Sequence, residues 1–386
     1  MTVKVNTFIK FYSKPKNIKS SIIIVTYNSK RYLRDLFETI SSQDYDLARL
    51  LFVVVDNDSV DGTFDELASF ARNGNFNIMS VRLNINVGFA PANNVALHLL
   101  KNILGSLEGR SIVLLNPDTR IIDKSFLKVV ERFLEHFPIV GFSMISGSGD
   151  VIDSLGAYVD YLGNPQDILC GVKLSRSLIR LINLLPKAYY VASVCFAAVA
   201  IRGDLVERLG TLRSDYVIYF EDTEFCLRCW SKGVPVLVYR DPLVWHERGG
   251  TQKKKTPPSR SSPARDLLDI PYHFAKNSLL LTYEYLGISR YVFRVLVYLA
   301  ISLVLKRQHL IFSTLGSAYI ILKKRLKPKR LPKGLVLRNP RTWILLWTLK
   351  YCLKFGFSLE EAISYSVKRA SLEYLLWRLQ SRLALA

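Results

Sequence analysis

SIIIVTYNS, residues 21–29, is a β-branched apolar run closed by a polar turn, and Tyr32, Leu33, Leu36, Phe37 and Ile40 then recur at helical spacing. Strand, polar turn and helix follow in that order. The same grammar returns at Leu50 to Val55 before Asp56-Asn57-Asp58-Ser59, and at Ile78 to Leu83 before an Asn/Gly-rich stretch. It appears a fourth time at Ser111 to Leu115 before Asn116-Pro117-Asp118. Continuous apolar strands alternating with amphipathic helices predict an α/β fold whose parallel strands are covered on both faces, with ligands bound where the carboxyl ends open into loops. Each polar turn sits at such an end.

The chain has 386 residues and is 49% hydrophobic, enough for a real core, so disorder throughout is excluded. Its charge is unevenly placed. Residues 1–250 hold 28 basic and 26 acidic side chains, whereas 251–386 hold 25 basic and 6 acidic, so the tail carries +19 of the net +21. That asymmetry predicts a catalytic or binding body joined to a basic module that meets a polyanion. Five cysteines in no disulfide-rich spacing fit a reducing compartment, and the CxxC of Cys226 and Cys229 reads as packing thiols in a helix. The first twenty residues carry five lysines and no acid but lack the apolar core of a signal peptide, which predicts a cytoplasmic protein.

The turns carry the chemistry. Asp56-Asn57-Asp58-Ser59-Val60-Asp61-Gly62 follows a buried strand with three carboxylates, which suits recognition of a ribose or a base N–H and equally suits an Asx-rich helix cap. Asp118 projects from the next such strand end, where one carboxylate together with diphosphate oxygens is a common way to hold Mg²⁺ or Mn²⁺. Glu221, Asp222 and Glu224 crowd the first turn of a helix beside aromatic Tyr219 and Phe220; acids there complement the helix dipole, and one of them is a candidate general base. His246 ends the apolar strand Val236 to Val244 and is placed to ligate a metal. Arg248 and Lys253 to Lys255 beyond it are placed to close over a diphosphate or to solubilise a loop.

Between Glu247 and Pro263 the sequence ERGGTQKKKTPPSRSSP reads as a loop or linker. Beyond it, Tyr291 to Leu305 and Leu310 to Leu322 are apolar segments of 15 and 13 residues, separated by Lys306-Arg307-Gln308-His309 and followed by a basic cluster from Lys323 to Lys333. A spanning helix needs roughly 20 apolar residues, so helices lying in a membrane interface are expected. Basic residues alternating with aliphatic runs, rather than with aromatic stacking platforms, favour an anionic membrane surface as partner over nucleic acid. The expected layout is a basic N-terminal arm at 1–20, a catalytic domain at 21–264, and a helical, basic, membrane-associating region at 265–386.

The ordered set SIIIVTYNS (21–29), VVVDNDSVDGT (53–63), NINVGFAPANN (84–94), LLNPDT (114–119), YFEDTEFCLR (219–228) and VWHERGG (244–250) resembles the inverting family 2 glycosyltransferases of GT-A fold, with a rhamnosyltransferase-like character. The resemblance runs over roughly residues 20 to 280. It implies a Rossmann-like mixed sheet with helices on both faces, and a sugar moved from a nucleoside-diphosphate-sugar donor to a glycan or lipid-linked glycan acceptor in cell-envelope polysaccharide or glycoprotein glycan synthesis. It further implies an enzyme peripheral on the inner face of the cell membrane. By that resemblance Thr26, Tyr27, Asn28 and Asp56 hold the donor nucleotide, while Asn57 and Ser59 look structural. Gly88, Phe89, Ala90 and Asn93 line the diphosphate and sugar side. Asn116 and Asp118 occupy the metal-binding motif with Asn in the first acidic place, leaving metal affinity to Asp118, His246 and the donor. Asp222 matches the general base, with Glu221 or Glu224 orienting acceptor or base. The chain departs from the pattern at Cys195-Phe196, where relatives carry small residues, so acceptor specificity does not carry over. The alternatives are a catalytically inactive sugar-nucleotide-binding scaffold of the same fold and a nucleic-acid-binding protein acting through the tail.

Overall fold

The computed structural model describes residues 5–10, 17–73, 77–160, 163–247, 272–332, 335–337, 354 and 358. The expected loop at 247–263 therefore lies, beyond Glu247, outside the described residues, as do Arg248, Lys253 to Lys255, Lys333 and nearly all of 338–386. The strands are β1 (Val5–Lys10), β2 (Ser20–Thr26), β3 (Leu50–Asp56), β4 (Asn77–Leu83), β5 (Ser111–Leu115), β6 (Thr119–Ile121), β7 (Ile139–Ser146), β8 (Val151–Ser154), β9 (Ala157–Asp160), β10 (Pro165–Asp167), β11 (Ala188–Tyr190), β12 (Ala198–Arg202), β13 (Leu237–His246) and β14 (Val336–Leu337). Among them run helices α1 (Lys30–Ser41), α2 (Thr63–Asn73), α3 (Phe89–Leu104), α4 (Phe126–His136), α5 (Arg176–Asn183), α6 (Gly203–Leu209) and α7 (Glu221–Ser231). The C-terminal helices are α8 (Tyr272–Leu286), α9 (Ile288–Leu305) and α10 (His309–Lys323).

Four strands appear where the apolar runs place them, and β2, β3, β4 and β5 are mutually parallel. The sheet as a whole is mixed, in the order β1-β4-β3-β2-β5-β12-β7-β13-β11, with β6 and β8 added to β13 and β7. Alternation along each strand feeds two cores. Leu51, Val53 and Val55 of β3 pack with Leu97, Leu100 and Phe225 on one face, and Leu50, Phe52 and Val54 with Leu33, Phe37 and Leu67 on the other. That two-sided burial explains why the strands read as unbroken apolar runs.

The N-terminal arm differs from expectation. Val5 to Lys10 pairs antiparallel with β4 over six residues, because β4 otherwise presents an open ladder edge. The stretch Val191 to Ile201 forms β12 only from Ala198; before it the chain turns through Ser193 to Ala197 at the carboxyl end of β5, where Asn116 donates its N–H to Ala197 O at 2.9 Å. Strand β13 is parallel to β7 but irregular: between Tyr239 and Val244 five steps of β13 answer two of β7, Phe142 to Met144.

The C-terminal helices are not a separate body. Leu280, Leu281 and Tyr285 of α8 and Ile321 of α10 share one core with Tyr216, Phe220 and Leu227, which precede the linker in sequence. A charged network crosses the same boundary: Arg213 pairs with Asp215 and with buried Glu284, Lys329 reaches Glu284 at 2.8 Å and Glu224 at 3.7 Å, and Lys324 reaches Asp215 at 3.1 Å. On the outer side, α9 exposes Ile288, Val292, Leu296 and Leu303, and α10 exposes Phe312, Leu315, Tyr319 and Leu322, spacings that draw one apolar stripe along each helix. Among the described residues no helix is long and apolar enough to cross a membrane.

Candidate active site

Parallel β2, β3, β5, β7 and β13 all end on one side of the sheet, and antiparallel β12 begins there. Topology thus gathers the Thr26, Asp56, Asn116, Asp118 and His246 positions around one crevice, with the turn at Ser193 to Ala197 as its wall.

At the first two turns the polar side chains hold each other. Asp56 is wholly buried; its carboxylate accepts from Thr26 Oγ1 at 3.0 Å, from Ser59 N at 3.3 Å and from the Ser59 hydroxyl, with Arg82 at 3.7 Å. Burial pushes the Asp56 carboxyl up while these hydrogen bonds pull against it. A direct contact between Asp56 and a ligand therefore requires Ser59 or Arg82 to yield. Ser59 Oγ also accepts from Asn28 N at 2.9 Å, and Asn28 Oδ1 accepts from Val60 N at 3.0 Å, which latches the two turns together with Asn28 at φ 49°. Tyr27 alone of this group is well exposed. Asn57 bonds within the protein: its Oδ1 accepts from Val87 N at 2.9 Å and its amide donates to Asn86 at 2.8 Å.

Gly88 precedes α3 with φ 90°, and a Cβ there would lie 2.4 Å from Val217 Cγ1, so the close approach admits no side chain. Ala90 N donates to Val217 O at 3.0 Å, tying this turn to the approach of α7. Asn93 is buried and donates to Phe89 O at 2.9 Å, which holds the first turn of α3.

The Asp118 carboxylate lies 3.4 Å from His246 Nε2, and His246 Nδ1 lies 2.8 Å from Asp153 of β8. Burial opposes a charge on the ring, yet the hydrogen bonds and charges of Asp118 and Asp153 outweigh it and raise the imidazole to about 9. Asp153 was not legible in the sequence. With Nδ1–H committed to it, Nε2 faces Asp118, and once Nε2 gives up the proton it shares with that carboxylate, the two can hold a hard divalent cation together with diphosphate oxygens. Elsewhere, Cys226 and Cys229 are buried in the core on one face of α7.

Asp222 and Glu221 open onto a cleft of about 340 Å³ whose walls include Asp167, Ser193, Cys195, Ile218, Tyr219 and Phe274. Asp222 Oδ1 accepts from Thr223 N at 2.6 Å and Thr223 Oγ1 at 3.2 Å. Burial raises its carboxyl to about 6, Asp167 adding to the rise. Glu221 is pushed well above its ordinary range by burial and by Asp222, and its Oε2 has no hydrogen-bond partner. Burial and the neighbouring charge therefore both disfavour a second ionised carboxyl in the pair. Glu224 turns the other way, to Arg228 at 3.0 Å and Tyr285 at 3.0 Å, and takes no part in the cleft.

The backbone leading into this pair is strained. Val217, Tyr219 and Phe220 have φ of 58°, 70° and 67° although none is glycine. Buried Asn277 of α8 holds the segment, its amide donating to Tyr216 O at 2.7 Å, Ile218 O at 2.9 Å and Tyr219 O at 2.7 Å. No sequence signal marks a lone amide inside a helix as such a clamp.

Residues 21–159 match the profile of Glycosyl transferase family 2. A hexosyltransferase of low-salt glycan biosynthesis from Haloferax volcanii, Agl10, is 27% identical over 223 residues, covering 56% of this chain and 63% of that protein. The poly(ribitol-phosphate) β-N-acetylglucosaminyltransferase TarS of Staphylococcus aureus is 28% identical over 118 residues, covering 31% of this chain and 19% of that one. The chain thus spans less than two thirds of either relative. The crystal structure of GalNAc-T7 with UDP, GalNAc and Mn²⁺ superimposes with a TM-score of 0.50 at 15% identity, covering 69% of this chain and 48% of that one, which shows the shared GT-A fold.

Proposed function

Given that residues 21–159 are a family 2 glycosyltransferase domain on a GT-A fold, we propose that the protein is an inverting glycosyltransferase that moves a sugar from a nucleoside diphosphate to a hydroxyl of a lipid-linked glycan. The observation that carries this is the Glu221–Asp222 pair, both carboxyls pushed up by burial, opening onto a cleft of about 340 Å³.

The donor nucleotide lies against Tyr27 and the Thr26–Asn28 and Asp56 turns. Its diphosphate and sugar lie along Gly88, Phe89 and Asn116, with Asn93 keeping the α3 turn in place. Asp118 and His246 would hold Mg²⁺ or Mn²⁺, which when bound offsets the charge that develops on the leaving diphosphate. The acceptor hydroxyl enters past Cys195 and Ser193, Asp222 takes its proton, and Glu221 hydrogen-bonds the incoming sugar and orients it. Attack from the face opposite the diphosphate inverts the anomeric centre, and no covalent intermediate forms. A neutral hydroxyl has no charge to resist three neighbouring acids, which suits a cleft lined by Asp167, Glu221 and Asp222.

The apolar stripes of α9 and α10, flanked by Lys306, Arg307 and Lys323, support a peripheral seat on an anionic membrane, the inner face of the cell membrane, where a lipid-linked acceptor resides. A thermal-shift panel of UDP, dTDP and GDP with Mn²⁺ tests the donor half. Binding at 100 times Kd stabilises by about 2.7 kcal/mol, and no shift with any nucleotide rejects the reading.

A further inference from the structure

We propose that α5 is a second membrane-contacting element, set beside the catalytic cleft and independent of the C-terminal helices, and that its partner is an anionic bilayer surface. The helix leaves Leu178 and Ile182 packed on Ile152, Leu155 and Val172, yet Leu181 and Leu184 are 61% and 80% exposed, three residues apart on one flank. Exposed large aliphatics so spaced on a short helix need a cover.

Charge selects the cover. From Ile168 to Gly203 the sequence holds no acid, but it holds Lys173, Arg176, Arg180, Lys187 and Arg202. Lys173 and Lys187 meet Asp150 of the β7–β8 turn and Asp241 of β13, while among the described residues no acid pairs with Arg176 or Arg180, four residues apart on the face next to the leucines. A row of leucines beside a row of arginines suits the boundary between acyl chains and anionic headgroups, where the aliphatics insert and the guanidinium groups snorkel. Position gives the contact a use. Cleft-lining Asp167 precedes α5 and cleft-lining Ser193 follows it, so the helix is an excursion from the rim of the cleft, and seating it on the bilayer turns that rim toward membrane-borne acceptors.

The contact needs no catalysis, so it stands or falls apart from sugar transfer. Sedimentation of the full chain with phosphatidylcholine vesicles, with and without phosphatidylglycerol, tests it. Leu181→Asp with Leu184→Asp is expected to lower partition to anionic vesicles by at least about tenfold, because each leucine removed forfeits more than a tenfold factor of apolar burial. Arg176→Gln with Arg180→Gln is expected to cost about tenfold at low salt and little at high salt. Both pairs are solvent-facing, so melting temperature and nucleotide shifts stay at wild type, whereas Phe312→Asp with Leu315→Asp reports the C-terminal contact separately. Wild-type partition in the Leu181/Leu184 variant, or no vesicle binding by the parent, overturns the proposal. So does light scattering that shows a dimer parted by the same change, which assigns the face to a second copy.

Discussion

Asp222→Asn keeps the shape of the side chain and removes its capacity to take a proton. The expected loss in transfer is on the order of 10² to 10⁴, with nucleoside diphosphate binding intact. Because burial lifts the Asp222 carboxyl to about 6, kcat/KM should rise as pH climbs through about 6. Stability should move the opposite way. The folded chain keeps a proton that the unfolded chain, with its carboxyl near 3.8, releases, so this group favours folding at low pH and loses that contribution as pH rises through 6. Asp222→Asn is thus expected to raise the melting temperature at pH 7.5 and not at pH 4; a variant less stable at both contradicts the buried charge. For the proposed metal ligands, Asp118→Ala and His246→Ala are expected to cost together little more than either alone, and EDTA should abolish transfer in the parent. Asp118, Asp222 and His246 were each legible because each closes or opens an apolar run. Asp153 and Asp167 were not, since they sit on short strands amid Gly and Tyr and meet their partners 93 residues away in one case, a distance no local pattern encodes.

Among the elements, the four parallel strands were legible for the reason that both their faces are buried, while β1 was not, its six residues being too few and too mixed to distinguish from an arm. The bulge of β13 also escaped, although it holds His246 back along the sheet by about three rungs, roughly 10 Å, relative to a regular partner of β7. The segment from Val217 to Phe220 shows how an element far along the chain enters the site. Asn277→Leu keeps the volume of the side chain and removes its three hydrogen bonds, so the strained backbone relaxes and Asp222 shifts. The expected result is a fall in kcat on the order of 10², with donor affinity unchanged, read by steady-state kinetics beside a nucleotide titration. An equal effect on donor binding would show that the clamp serves the whole crevice instead.

For the molecule as a whole, composition draws a border near residue 264 that the packing does not respect. The basic tail was legible as charge and short apolar segments, but not the acids it answers, because Arg213, Asp215, Glu224 and Glu284 come from both sides of that border. Arg213→Met leaves Glu284 and Asp215 short of their counter-charge and is expected to cost about 3 to 5 kcal/mol in denaturant melts. The shared core of Tyr216, Phe220, Leu227, Leu280, Leu281 and Tyr285 has a consequence for how the protein comes apart. Two bodies that bury the same side chains cannot melt in turn, so calorimetry should record one transition whose van't Hoff and calorimetric enthalpies agree. A chain ending at residue 271 would lack α8, whose Asn277 holds the backbone that leads to Asp222, so synthesis must run past α8 before the candidate site exists.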